Sequence, residues 1–88
     1  MEFTGTVKEL LPVQTGDGAK GAWRKQQIVI EYGDKYPREV CVDLWGDLIP
    51  EDGQTLVGQA VEVACNVESR KNNERWYTDV KAWKFKQL

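Results

Sequence analysis

Histidine is missing from this chain altogether, and Ser69 is its only serine. The commonest general base is thereby removed, and almost no hydroxyl remains to serve as a serine nucleophile. Nothing in the residue set invites catalysis, and the expectation is a protein that is not an enzyme. Cysteine is nearly as scarce: Cys41 and Cys65 allow at most one bridge, and two thiols without histidine leave a zinc site short of ligands. No metal or other cofactor is expected. There is no apolar run long enough to span a bilayer and no charged-then-apolar leader, so the reading is a soluble, cytoplasmic chain with no membrane partner. Eighty-eight residues suffice for one domain, residues 1–88. A chain of that size buries roughly 60–65% of the surface its unfolded form exposes, and its stability should be modest.

The charge balance is slightly acidic, with twelve Lys and Arg against fourteen Asp and Glu. A net charge of −2 argues at first against a nucleic-acid partner. Its distribution points the other way. From Glu39 to Ser69 there are seven acids and no cation, so all twelve cations lie in residues 1–38 and 70–88. A partner meets a local field rather than a total. The competing reading is a polarised but merely solvated surface.

What the chain does have is alternation. Five runs of β-branched and aromatic residues are separated by turn chemistry. The first, Glu2 to about Val13, puts Phe3 and Val7 on one face and loses phase at Leu10-Leu11-Pro12; Gly5 within it marks a bulge or a tight bend. Residues 14–22, "QTGDGAKGA", read as a mobile loop. The second run, Trp23 to Tyr32, sets Gln26, Ile28, Ile30 and Tyr32 against Trp23, Lys25, Gln27 and Val29. "GDKYP" then closes a hairpin. The third run points Val40, Val42 and Leu44 inward and Glu39, Cys41, Asp43 and Trp45 outward. Asp47 is placed to cap a helical turn that Pro50 and Gly53 keep short. The fourth run, Gln59 to Glu68, has Val61, Val63, Cys65 and Val67 on its inner face. "SRKNNE" is a polar hairpin tip, and the fifth run is Arg75 to Phe85. Cys65 reads as a small core residue and Cys41 as semi-exposed, so a disulfide is not expected.

Five strands interrupted between the third and fourth fit an all-β, five-stranded Greek-key barrel of the OB type, with at most a short helical turn between strands 3 and 4. Closure would remove edges that so small a chain cannot cover. An SH3-like barrel is the competitor. OB domains bind chain-like ligands on the face of strands two and three, between the loops that join strands one to two and four to five. The first loop and its exit supply Lys20, Arg24 and Lys25; the second supplies Arg70, Lys71 and Arg75. Between them lie Trp23, Lys25, Gln27, Cys41 and Trp45 in the outward phase. Cationic rims with indole platforms suit single-stranded nucleic acid, because phosphates need positive charge and unstacked bases need a flat apolar surface. Duplex reading is not expected, for no helix is long enough to enter a major groove.

The blander alternative for each residue is equally concrete. Trp45 could plug the barrel mouth, and loop cations could be solubilising only. In the fifth run a bulge near Ala82 would let Val80 and Phe85 both face inward. On that arrangement Trp76 or Tyr77 touches the groove, and Trp83 packs against the core or a partner subunit.

"LWGD" after strand three, with "VEVACNVESRKNNERWYTDVKAW", resembles bacterial single-stranded-DNA-binding proteins. Trp45, Gly46 and Asp47 match that family's aromatic-Gly-charged turn. Arg70 and Lys71 match its basic loop, and Arg75, Trp76, Tyr77, Thr78, Asp79 and Val80 approximate its fifth strand. Over nearly its full length the chain also resembles a family of small bacterial OB-fold proteins of unassigned activity, which share "Trp-x-Lys-Gln" (here Trp23 to Gln26), "WGD" and "WYTD". It departs from the DNA-binding proteins in two ways: their long helix after strand three is shortened to "DLIPEDGQT", and their acidic tail is absent. The resemblance implies an OB fold and a single-stranded DNA or RNA partner, with a homodimer or higher homo-oligomer as a further expectation. The alternative function is a protein-protein interaction or assembly module of the same fold.

Overall fold

In a computed structural model describing residues 1–88, the alternating runs become six strands. They are β1 (Glu2–Leu10), β2 (Gln14–Gly18), β3 (Gly21–Tyr32), β4 (Arg38–Trp45), β5 (Ala60–Asn72) and β6 (Arg75–Gln87). Two single 3-10 turns, Gly46–Leu48 and Gly53–Leu56, fill the interruption between β4 and β5. No helix is long and apolar enough to cross a membrane.

Five of the strands close on themselves. The neighbours run β1-β5-β6-β4-β3, and β3 pairs back onto β1, from Thr6 opposite Glu31 to Leu10 opposite Ile28. All pairings are antiparallel except β4 with β6, which meet in parallel at Asp43 opposite Lys81. This is the five-stranded OB-type Greek-key barrel. The sixth strand, β2, lies outside the ring and pairs only with the first residues of β3.

The periodicity places the core as read. Ile28, Ile30, Val42, Leu44, Val61, Val63 and Cys65 are fully buried, joined by Val7 from β1 and Ala82 from β6. Each large aliphatic side chain so buried contributes about 1.5–3 kcal/mol, and together they offset the ordering of a small chain. Both cysteines are free thiols, Cys65 in the core and Cys41 exposed. β6 carries the bulge: Cys65 stands opposite Ala82 and Ala64 opposite Lys84, leaving Trp83 unpaired. Ala82 is thereby buried while Val80 and Phe85 pack against the core.

Several details differ from the sequence reading. Residues 14–22 are not a loop: Gln14 to Gly18 pair with Gly21 to Lys25, leaving Ala19-Lys20 as the turn. Glycine-rich composition hid this strand, because β2 is held by ladder hydrogen bonds and by one aromatic ring rather than by its own side chains. The β5–β6 hairpin likewise runs on through "SRKNNE", with Ser69 to Asn72 still paired and only Asn73-Glu74 turning. Both turn residues have positive φ, 52° and 67°, as a two-residue I′ turn requires. Beyond the barrel this ribbon has no core to cover, which is why Val67 is half exposed rather than buried. The bulge in β1 falls at Lys8, between Val7 and Glu9, and not at Gly5. Gly5 is instead a close crossing, where a Cβ would lie 2.5 Å from the Glu31 carbonyl oxygen of β3. Asp47 lies inside its turn and makes no cap hydrogen bond; Trp45 occupies the N-cap position.

Candidate nucleic-acid interface

The single parallel contact between β4 and β6 shapes the main surface feature. Antiparallel ribbons β3–β4 and β5–β6 meet at Asp43 and Lys81 and diverge beyond it, leaving a groove of about 590 Å³. That is within the range of ligand clefts. Lys25, Asp43 and Trp45 form one wall. Asn66, Glu68 and Arg70 of β5 form the other, with Asp79, Lys81 and Trp83 of β6 between.

Trp45 is the organising side chain. The Lys25 ammonium lies 5.6 Å from its ring centroid and the Lys81 ammonium 5.5 Å. The Trp23 ring packs against it at 5.7 Å, tilted by 55°. Trp23 reaches that position because Gly16, facing it on β2, has no side chain. A Cβ there would lie 2.4 Å from Trp23 Cζ2, so the indole lies directly over the β2 backbone. The two-stranded β2–β3 extension thus serves to hold Trp23 against Trp45.

Beneath the indoles, Asp43 is buried at 6% exposure. A buried carboxylate is costly unless partnered. Gln27 Nε2 donates to its Oδ1 at 3.0 Å, and Lys25 Nζ stands 3.9 Å from the same oxygen. The adjacent Cys41 thiol is pushed above its ordinary pKa, first by partial burial and then by the Asp43 carboxylate, with Lys25 opposing and Glu9 adding to the rise. Such a thiol stays protonated at neutral pH and is a poor nucleophile.

Cross-strand register sorts the β5–β6 ribbon into two faces, since directly paired residues point the same way. Asn66 with Lys81, Glu68 with Asp79, and Arg70 with Tyr77 share the groove face. Val67 with Val80, Ser69 with Thr78, and Lys71 with Trp76 share the reverse. Arg70 reaches diagonally to Asp79 at 3.6 Å.

Of the residues read from the sequence, Lys25, Trp45 and Arg70 line the groove, and Trp23 and Gln27 support it from beneath or beside. Arg24 turns to the end of β4, where its Nη2 donates to the Gly46 carbonyl at 3.4 Å. Tyr77 and Arg75 continue the groove face toward the ribbon tip, and Lys20 sits in the β2–β3 turn; none of these three lines the groove itself. Lys71 and Trp76 are not brought to it, because the ladder turns both to the reverse face. Trp83, expected against the core or a partner subunit, is 58% exposed and faces the groove, since it keeps the outward phase of Asp79 and Lys81 and the bulge resets the phase only after it. The sequence reading missed Asp43, Asn66, Glu68, Asp79 and Lys81 as lining residues. The outward phase of the last two strands could have supplied four of them; their meeting with β4 depends on the parallel seam.

Comparison with known proteins agrees with this architecture. Among curated proteins, none matches the sequence. A solved structure, the small single-stranded DNA-binding protein of Streptomyces coelicolor, matches across 100% of this chain and 92% of its own, with a TM-score of 0.50 and 17% identity. At that identity the likeness speaks for the fold. The family model described as "Domain of unknown function (DUF3127)" matches residues 2–86, nearly the whole barrel, and the chain belongs to that family.

Proposed function

We propose that this protein is a non-enzymatic module that binds single-stranded nucleic acid along the groove between the β3–β4 and β5–β6 ribbons. One observation carries the reading: Trp45 lies at the groove wall with two ammonium groups close to its ring, Lys25 at 5.6 Å and Lys81 at 5.5 Å. A base stacked on that indole would bring its flanking phosphates to the two cations. Stacking contributes about 1–3 kcal/mol per base and tolerates any sequence, whereas the phosphates add an attraction that salt screens. Trp83, exposed on the same face, offers a second platform, and Tyr77 and Arg75 extend the path toward the ribbon tip. The OB-type fold shared with a single-stranded DNA-binding protein is consistent with this use of the groove.

The test is titration with oligonucleotides of mixed sequence, followed by tryptophan fluorescence over a range of salt. Three groove cations predict a log–log salt slope of about −2, at about −0.7 per contact. Absence of quenching at low salt would remove the proposal.

A second reading rests on the reverse face. Trp76 at 68% exposure and Val67 at 50% form a small apolar surface on the ribbon, away from the groove. On this reading the ribbon docks a second copy of the chain, making the protein an assembly module. Sedimentation equilibrium of wild type and Trp76→Ser decides it: self-association lost in the variant supports the reading, and a monomeric wild type dismisses it.

A further inference from the structure

Resting on the groove as a nucleic-acid site, we infer that it is selective: Glu68 reads the Watson–Crick edge of guanine. Charge is the first indication. A groove serving phosphates alone has no use for carboxylates, yet this one presents three alongside its three cations. Two of the three are occupied. Asp43 is buried and held by Gln27 and Lys25; Asp79 is met by Arg70 at 3.6 Å. The Glu68 side chain makes no hydrogen bond and no ion pair, and the residue stands directly opposite Asp79 in the β5–β6 ladder. Like charges in that register destabilise a sheet. Glu68 is exposed and takes no part in the barrel core.

An ionised carboxylate is an acceptor only, with two oxygens that suit a fork of parallel N–H donors. Among the bases, guanine alone presents such a fork, its N1–H beside its N2 amino group. Cytosine and adenine each set one amino group beside a ring acceptor that a carboxylate repels. Uracil and thymine have a single N–H between two carbonyls. Guanine O6, next along the same edge, asks for a donor. Lys81 is the diagonal cross-strand neighbour of Glu68, about 7–8 Å away at Cα; its ammonium has three N–H donors, so one can take O6 while the others keep to the flanking phosphate and Glu68 takes N1 and N2. Asn66, opposite Lys81, supplies an uncharged donor and acceptor at the same level. Unstacked bases read on that edge while lying on an aromatic ring are the usual mode of single-strand specificity.

The experiment compares four 12-mers by fluorescence titration in lithium buffer, which suppresses guanine self-association: oligo(dT), and dT alternating with dG, with dA or with deoxyinosine. Wild type should bind the dG oligomer about tenfold more tightly than oligo(dT), the low end of what one bidentate base contact supplies. Deoxyinosine, which keeps O6 and N1–H but lacks the N2 amino group, should lose most of that gain. In Glu68→Gln the preference should fall below about threefold, while oligo(dT) binds more tightly because a phosphate-repelling charge has gone. A purely solubilising Glu68 would move all four oligomers together. Equal affinity of wild type for the four overturns this inference and leaves the binding proposal standing; failure of all four to bind overturns both.

Discussion

Replacing Gly16 with alanine tests whether β2 exists to seat Trp23. The added Cβ would lie 2.4 Å from Trp23 Cζ2 and 2.7 Å from Cε2, well inside contact distance. The β2 backbone is fixed by its pairing with β3, so the indole has to swing away and give up its contact with Trp45 at 5.7 Å. Overpacking of this kind costs about 1–3 kcal/mol, and alanine recovers about 0.4–1 kcal/mol by restricting the unfolded chain. The net loss is about 1 kcal/mol, or roughly 4–8 °C in the melting temperature of a domain this size. The near-ultraviolet circular dichroism of the two coupled indoles should weaken in parallel. The decisive control is the Trp23→Leu background, where the smaller side chain clears the new methyl group. There Gly16→Ala should be neutral or mildly stabilising. A Gly16→Ala protein that melts with the wild type and keeps the indole signal would refute this role for β2. So would a cost that is the same with and without Trp23.

Other expectations follow from the same geometry. Trp45→Ala should weaken oligonucleotide binding about tenfold or more, through loss of one stacking platform, when measured by anisotropy with a labelled oligomer. Glu74 occupies a left-handed position at φ 67°, which costs an L-residue about 1–2 kcal/mol, so Glu74→Gly should raise the melting temperature by several degrees in calorimetry. Ile28→Ala, at the centre of the core, should cost about 2–5 kcal/mol in urea unfolding. Cys41 has its pKa raised in the fold, so the protonated thiol is the favoured form; any stability this lends is complete below the ordinary thiol pKa and is lost as pH rises through the elevated value. Its alkylation by iodoacetamide should reach half-maximal rate at higher pH than free cysteine, and Asp43→Asn should shift that midpoint down.

The barrel was legible because its information is periodic. Ile28, Ile30, Val42, Leu44, Val61 and Val63 alternate without interruption, and each run could be phased independently of its partners. Even the bulge in β6 was implied, since Val80 and Phe85 cannot both face inward on a regular strand. What escaped was whatever depended on pairing. Gln14 to Gly18 carry no apolar side chain that would announce a strand; their structure comes from β3 and from the ring of Trp23. Lys71 and Trp76 read as groove residues by proximity to Arg70 and Tyr77, but a one-residue step along a strand reverses the face. Lys81 beside Trp45 follows from the parallel seam of β4 and β6, a contact between segments nearly forty positions apart that no local pattern encodes.

Pairing is regular on both sides of Trp83, so excising that one position would leave Ala82 opposite Cys65 and Lys84 opposite Ala64, an uninterrupted ladder. It is a supernumerary residue, and the barrel would close without it. A ring on the groove side can therefore be gained, lost or exchanged in one step while the interior stays threaded as before, which lets the groove surface and foldability change separately.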